Sequence, residues 1–178
     1  MAQSTVLRKE TVLKAKLFSL EKYHLLINKK KKTHYVVSRV PVVCIFPLSQ
    51  TGELYLISQY RYIFRKTILE EVAGHVDENE DIQVAAKREL LEETGIRARR
   101  WKKFSKLELS ASVVASTMHF FLATELSFGK RQVQDDEEIN LSPLSIDKAV
   151  EKVMAGEIFT AGAVAGILML KELQKREI

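Results

Sequence analysis

The stretch that decides the fold is GHVDENEDIQVAAKRELLEETGI, residues 74–96, which places several glutamates on one short predicted helix. At about 100° per residue, Glu89 and Glu93 share the arc of the apolar Ala86, and Glu92 lies just beside it. Like charges at this spacing destabilise a helix, and burying an unpaired charge is costly. The pattern therefore predicts a neutralising group at this helix face, and carboxylate oxygens are ligands that Mg²⁺ prefers.

The residues around these acids indicate where the helix begins and ends. Asp77 and Glu80 have the spacing of a capping box, which predicts the helix start. Gly95 predicts the helix end, because glycine readily adopts the left-handed conformation. Arg88, four residues before Glu92, can orient that carboxylate. A solvated acidic face is the alternative, but the glycine placement, the capping pattern and the carboxylate register together favour a functional site.

Strand-like segments fill the first third of the chain, and helical spacing returns at its end. The alternating or β-branched segments lie at residues 11–18, 22–28, 34–48, 53–61, 97–104 and 116–126. Thr51 and Gly52 predict a hairpin turn between the third and fourth of these segments. Residues 145–177 carry apolar side chains at helical spacing with a break near Gly156, which predicts two helices. The order of elements predicts an α+β fold with a mixed sheet covered on both faces.

Composition and charge indicate one ordinary globular domain. The chain has 178 residues, 46% hydrophobic and 29% charged, which is enough for a single core. Its one cysteine, Cys44, lies in an apolar strand-like run, so we expect a buried thiol and a reducing cytoplasm. No secretory signal or membrane-spanning run is found. The net charge of +5 is mild, so we expect no nucleic-acid binding, and the lysine run 29–32 predicts a solvated hairpin tip.

The same 23-residue stretch resembles the Nudix box position for position. The matching residues are Gly74, Glu80, Arg88, Glu89, Leu90, Glu92, Glu93, Gly95 and Ile96. The resemblance implies a Nudix-type α/β/α sandwich with a mixed β-sheet and a small N-terminal β-sheet segment. We expect one domain over residues 1–178, made of a strand segment at 1–33 and a Nudix core at 34–178.

Outside the box, residues 42–173 resemble the ADP-ribose pyrophosphatase branch of that superfamily. The resemblance lies in LISQYRY, in LEEVAGHVDENE, in the acidic loop DDEEINL and in the terminal helices. Two positions depart from the branch. Val72 replaces a proline before Ala-Gly, and Ala111 stands near the place of a proline associated with ADP-ribose specificity. These departures leave the identity of the sugar nucleotide open.

The resemblance implies roles for individual residues. The metal ligands implied for Mg²⁺, with Mn²⁺ as a substitute, are the Ala73 carbonyl, Glu89, Glu92 and Glu93. Glu92 is also implied in catalysis, and Arg88 and Glu80 hold the loop and the helix together. Arg61 and Glu70 are the implied substrate contacts. The acidic loop is expected to supply a general base or a further metal ligand, with Glu137 preferred over Asp135 and Glu138.

The implied activity is Mg²⁺-dependent hydrolysis of the pyrophosphate bond of a nucleoside diphosphate sugar, with ADP-ribose cleaved to AMP and ribose 5-phosphate. The alternatives are another nucleotide sugar such as GDP-mannose, a dinucleotide, or a nucleotide-sensing Nudix module without catalysis. RNA-cap hydrolysis is a further alternative, but the basic run 97–103 is more typical of a solvated strand edge. By analogy with relatives, the N-terminal segment is expected to help build a homodimer.

Overall fold

A computed structural model of the chain describes residues 4–131 and 138–176. Within these residues the elements follow in the order β1 (Ser4–Lys14), β2 (Phe18–Ile27), β3 (Lys30–Arg39), β4 (Val42–Pro47), β5 (Glu53–Arg61), β6 (Lys66–Glu70), β7 (Val72–His75), α1 (Ile82–Thr94), β8 (Ile96–Glu108), β9 (Val114–Ala115), β10 (Thr117–Phe128), β11 (Ile139–Ser145), α2 (Ile146–Met154) and α3 (Ala161–Arg176). The chain divides into two compact units, Met1–Pro41 with Leu107–Met118, and Val42–Lys106 with His119–Ile178. The expectation of one domain over residues 1–178 stays a prediction.

The first unit is a four-stranded sheet in the order β1-β2-β3-β9. The predicted strand over residues 11–18 is wrong in one respect, because the chain turns between Lys14 and Phe18 and thereby separates β1 from β2. In the next turn, between β2 and β3, Asn28 and Lys29 take positive φ. The residues on either side of this turn, Ile27 and Lys30, pair with each other. The lysine run is exposed at this hairpin tip, as predicted.

The second unit contains two sheets, β7-β4-β10-β8 and β11-β5-β6. The residues 43–46 of β4 are fully buried, which confirms the predicted burial of Cys44. The predicted hairpin at Gly52 is confirmed only next to the turn. Gly52 does take a φ of 84°, and Leu48 and Leu54 form a single bridge beside it. The two strands then diverge, since β4 pairs with β7 and β10 whereas β5 pairs with β6 and β11.

Helix α1 begins later than the capping box predicts. Its N-cap is Asp81, whose carboxylate accepts hydrogen bonds from two first-turn N–H groups at 2.8 and 3.2 Å. Asp77 and Glu80 instead close the preceding turn, with Asp77 N donating to Glu80 Oε2 at 3.0 Å. The predicted helix end is confirmed, because Gly95 follows the last turn with a φ of 72°.

The two C-terminal helices are also confirmed, and Gly156, with a φ of 74°, lies in the break between them. Helix α3 packs closely on β4, because a Cβ at Gly166 would lie 2.0 Å from Phe46 Cζ. No helix in residues 4–131 and 138–176 has both the length and the apolar character needed to cross a membrane. The sheets and helices together form an α+β fold.

Candidate active site

The acidic face of α1 lies against strand β7 in the second unit. Gly74, in β7, leaves the space that the Glu89 carboxyl group occupies, since a Cβ at position 74 would lie 1.8 Å from Glu89 Cδ. The Glu89 side chain is consequently only 14% exposed. Burial raises the pKa of Glu89, and the hydrogen bond from Arg88 opposes that shift. A helix carboxylate is thus held against the backbone of the strand.

Arg88 meets three of the acids at once. Its Nε and Nη2 donate to the two Glu80 carboxylate oxygens, each at 2.9 Å, which is a bidentate pair. Its Nη1 donates to Glu89 Oε1 at 2.8 Å and to Glu92 Oε2 at 3.2 Å. Its Nη2 also donates to the His75 carbonyl at 3.0 Å. These bonds lower the pKa of Glu80 and raise that of Arg88, so the loop before α1 is tied to the helix.

Glu93 is the acid of α1 that has no ion pair within the described part of the chain. The Ala73 N–H donates a hydrogen bond to its carboxyl group. Its Oε2 is buried and has no hydrogen-bond partner among residues 4–131 and 138–176. Burial, followed by the negative charge of Glu89, raises the pKa of Glu93 to about 8, although Arg61 opposes the shift. A buried carboxylate oxygen without a partner is costly, so this atom calls for a proton or a cation.

A second charged pair adjoins these acids from the β5–β6 hairpin. Arg61 Nε donates to Glu70 Oε1 at 2.6 Å, and the Glu70 side chain is 10% exposed. The register pairs Arg61 with Lys66 and Ile57 with Glu70, so both members of the pair lie on one face of the hairpin. The charges of Arg61 and Glu70 both influence the pKa of Glu93, which places the pair beside α1.

The donor chemistry of this region fits a hard divalent cation. Glu93 Oε2 is a buried oxygen without a hydrogen-bond partner in the described ranges, and it lies near the charge of Glu89. No group of three His, Cys, Asp or Glu side chains in these ranges is already arranged around a metal position. Two of the predicted ligands, Glu89 and Glu92, accept hydrogen bonds from the Arg88 guanidinium. Ala73, the remaining predicted ligand, pairs with Cys44 in the β4–β7 ladder.

The predicted acidic loop is described only in part. Asp135 and Glu137 lie outside the described residues, and their roles stay predictions. Glu138 is exposed and directly precedes β11. Because Ile139 pairs with Gln59 in the antiparallel β11–β5 ladder, Glu138 lies near the end of β5 that carries Arg61.

The positions that depart from the ADP-ribose pyrophosphatase pattern lie in different units. Val72 is fully buried in β7 of the second unit, where it pairs with Ile45. Ala111 is exposed in a bend of the first unit.

Lys66 also belongs to the face that carries Arg61 and was not identified from the sequence. The short connection between β5 and β6 is the signal that could have indicated this pairing.

The family model of the NUDIX domain matches residues 38–158. The chain belongs to the Nudix family. This result confirms the family resemblance found in the box, and it extends the match from the box to most of the chain.

Two curated relatives of this Nudix chain are pyrophosphatases. It is 28% identical over 176 residues to an ADP-ribose pyrophosphatase of Bacillus subtilis (strain 168), a match that covers 93% of this chain and 95% of the relative. It is 30% identical over 154 residues to a GDP-mannose pyrophosphatase of Escherichia coli (strain K12), with 84% and 71% covered. A solved structure of an ADP compounds hydrolase has a TM-score of 0.85 and 22% identity, covering 98% of this chain and 96% of that one. This similarity confirms the predicted Nudix-type α+β fold.

Proposed function

We propose that this Nudix protein hydrolyses the pyrophosphate bond of a nucleoside diphosphate sugar with the help of a divalent cation, Mg²⁺ first. The observation that carries the proposal is the buried Glu93 Oε2, which lacks a hydrogen-bond partner within the described ranges and lies beside Glu89. The Arg61–Glu70 pair next to it provides a cation for the substrate phosphates. The ADP-ribose and GDP-mannose pyrophosphatase relatives support the substrate class.

The cation would be held by Glu89, Glu92 and Glu93, with the Ala73 carbonyl as a further ligand. When bound, such a cation neutralises charge on the diphosphate oxygens and lowers the pKa of a bound water. Glu92 is 42% exposed and forms the longer of the two Arg88 Nη1 hydrogen bonds, at 3.2 Å. Glu92 can therefore leave Arg88 more readily than Glu89 can. Mn²⁺ has a similar preference for carboxylate oxygens and would substitute.

The other side chains position the acids and the substrate. Arg88 holds Glu80 and Glu89 in place, so it fixes the loop relative to the helix that carries the acids. Glu70 orients the Arg61 guanidinium, which leaves the remaining donors of that group for the diphosphate. A general base from the acidic loop, Glu137 before Asp135 or Glu138, would take the proton from the attacking water.

The test is product analysis with ADP-ribose, GDP-mannose and a dinucleotide, with Mg²⁺, with Mn²⁺ and with chelator. We expect cation-dependent release of a nucleoside monophosphate. Glu93→Gln should lower kcat by about a hundredfold or more, because a metal carboxylate becomes a neutral amide. The matched control is Glu172→Gln, an exposed glutamate of α3 that pairs with Lys175. Its kcat should equal that of the wild type.

The same panel separates the alternatives. Cleavage of ADP-ribose would identify the first substrate, whereas preferential cleavage of GDP-mannose would favour the second. Tight binding of ADP-ribose without cleavage of any panel member, with or without cation, would contradict catalysis and favour a sensing module. The homodimer is part of this proposal and is checked by light scattering of the purified chain. A cytoplasmic location completes the proposal and is checked by cell fractionation.

A further inference from the structure

We propose that Lys66 is a second substrate-binding cation, which contacts the diphosphate of the substrate together with Arg61. This inference rests on the proposed function, because it names a further residue that recognises the same substrate. Lys66 opens β6, and Arg61 ends β5, so the two residues face each other across the turn of the hairpin.

The register of the hairpin brings the two cations together. Arg61 and Lys66 are the last Cα partners of the β5–β6 ladder before the turn. Directly opposite residues of an antiparallel pair point to the same face, with Cβ atoms roughly 4.5–5.5 Å apart, and like charges there are destabilising. Such a pair is favourable only when an anion neutralises it. The charge of Arg61 is met by Glu70 at 2.6 Å.

In the described part of the chain, no acid pairs with Lys66 as Glu70 pairs with Arg61. Within residues 4–131 and 138–176, no carboxylate lies within ion-pair distance of its Nζ, which is 4.4 Å from the centre of the Phe159 ring. Phe159 is itself braced by Phe64, whose ring meets it edge-on at 5.1 Å and 88°. A cation–π contact attracts an ammonium group but leaves its positive charge unneutralised. The ring therefore fixes the position of the Lys66 charge and leaves that charge available to a ligand.

A diphosphate is the ligand that suits this position. The face that carries Arg61 and Lys66 also carries Glu70, whose carboxylate would repel an anionic substrate. Arg61 is already paired with Glu70, so a second cation, Lys66, would offset this repulsion at the substrate oxygens. Lysine binds phosphate as a point charge and accepts more than one geometry, whereas arginine is bidentate. Arg61 would then orient the diphosphate and Lys66 would strengthen its attraction.

Three variants test the proposal: Lys66→Met, which keeps the aliphatic stem, Lys66→Arg, which restores the charge, and Phe159→Leu, which removes the ring. Lys103→Met, an exposed lysine of β8, is the matched control. The substrate is whichever panel member the wild type cleaves. For Lys66→Met we expect KM to rise about five- to twentyfold with kcat within about twofold, as for lost ground-state binding. Lys66→Arg should restore KM to within about threefold, and Phe159→Leu should raise it less than Lys66→Met does.

Salt provides a readout that a structural role would not change. Raising the ionic strength should increase the KM of the wild type more steeply than that of Lys66→Met, because the wild type has the screened Lys66 contact in addition to that of Arg61. Equal salt dependence in both proteins would overturn the proposal. So would an unchanged KM in Lys66→Met, or an equal loss in Lys66→Met and Lys66→Arg accompanied by a lower melting temperature.

Failure of the proposed function is distinguishable from failure of this inference. If the wild type cleaves no panel member, calorimetry with ADP-ribose in the presence of Mg²⁺ measures the same contact as a dissociation constant. A weaker dissociation constant in Lys66→Met, restored in Lys66→Arg, would support the Lys66 contact although catalysis is refuted. An unchanged constant, or no binding by the wild type, would overturn the Lys66 contact as well.

Discussion

Replacing Glu93 by glutamine should remove a pH-dependent loss of stability from the metal-free protein. Burial and the charge of Glu89 raise the pKa of Glu93 to about 8 in the fold, from an ordinary value of 4.5. Arg61 from β5 opposes this shift, and Glu70 from β6 adds to it. Between these two pH values the folded protein keeps a proton that the unfolded chain has released. By linkage, the free energy of unfolding therefore falls as the pH rises through this window.

The two pKa values set the size of the effect. Each pH unit of the window contributes about 1.4 kcal/mol, so the loss is roughly 5 kcal/mol at most by pH 9. Movement of the Glu93 carboxylate towards water would reduce the loss, and roughly 2–5 kcal/mol is the range expected. This is a large share of the roughly 5–15 kcal/mol that stabilises a typical domain. Glutamine has nearly the same shape and does not ionise, so the variant lacks this source of pH dependence.

Urea denaturation of the wild type and Glu93→Gln in chelator, at pH 5, 7 and 9, measures the effect. Glu71 also has a raised pKa, but it is present in both proteins and largely cancels in the difference between them. The stability of the wild type relative to the variant should fall steadily with rising pH. Saturating Mg²⁺ at pH 9 should restore it, because a ligand of the folded state stabilises that state. A difference that stays constant within about 0.5 kcal/mol from pH 5 to 9 would refute the reasoning.

Three further substitutions test the packing of the site and of the core. Arg88→Met should lower the free energy of unfolding by about 2–4 kcal/mol in chemical denaturation, since three carboxylates lose their counter-charge. Arg88→Lys should not restore this free energy, because lysine forms no bidentate pair. Gly74→Ala should lower kcat at least about tenfold in steady-state kinetics, because its Cβ would lie 1.8 Å from Glu89 Cδ and displace that carboxylate. Gly166→Ala should cost about 1–3 kcal/mol of unfolding free energy by overpacking Phe46, with kcat within about twofold. A loss of kcat in Gly166→Ala as large as in Gly74→Ala would contradict the assignment of Gly74 to the site.

The local spacing of the box was sufficient to predict the acidic helix face and the helix end, but it misplaced the helix start. Asp77 and Glu80 have capping-box spacing, yet Asp81 is the N-cap. Both carboxylate oxygens of Glu80 are engaged by Arg88 from the second turn of the helix. Glu80 also accepts from Asp77 N, so the capping-box bond forms in the turn before the helix while Asp81 caps the helix itself. The contact with Arg88, eight positions away, is not revealed by spacing within four residues.

Strand pairing was less accessible from the sequence than helix spacing. The turn at Gly52 was predicted from its residues, and a positive φ is present there. The hairpin inferred from that turn is limited to one bridge, Leu48 with Leu54, because β5 takes β6 and the distant β11 as partners. Periodicity shows that a strand exists, but it does not select its neighbour.

The adjacent acids Glu70 and Glu71 show what this choice means for the site. Both are buried, at 8% and 6% exposure. Glu70 accepts from Arg61, whereas Glu71 lies beside the Cys44 thiol and the Thr160 hydroxyl, and burial raises its pKa to about 7. Glu70 ends β6 and Glu71 follows it directly, so a slip of one residue in the β5–β6 register would bring Glu71 to the position that Glu70 occupies. The pairing of Ile57 with Glu70 therefore decides which carboxylate meets Arg61, so the active site depends on strand register as much as on the spacing of the box.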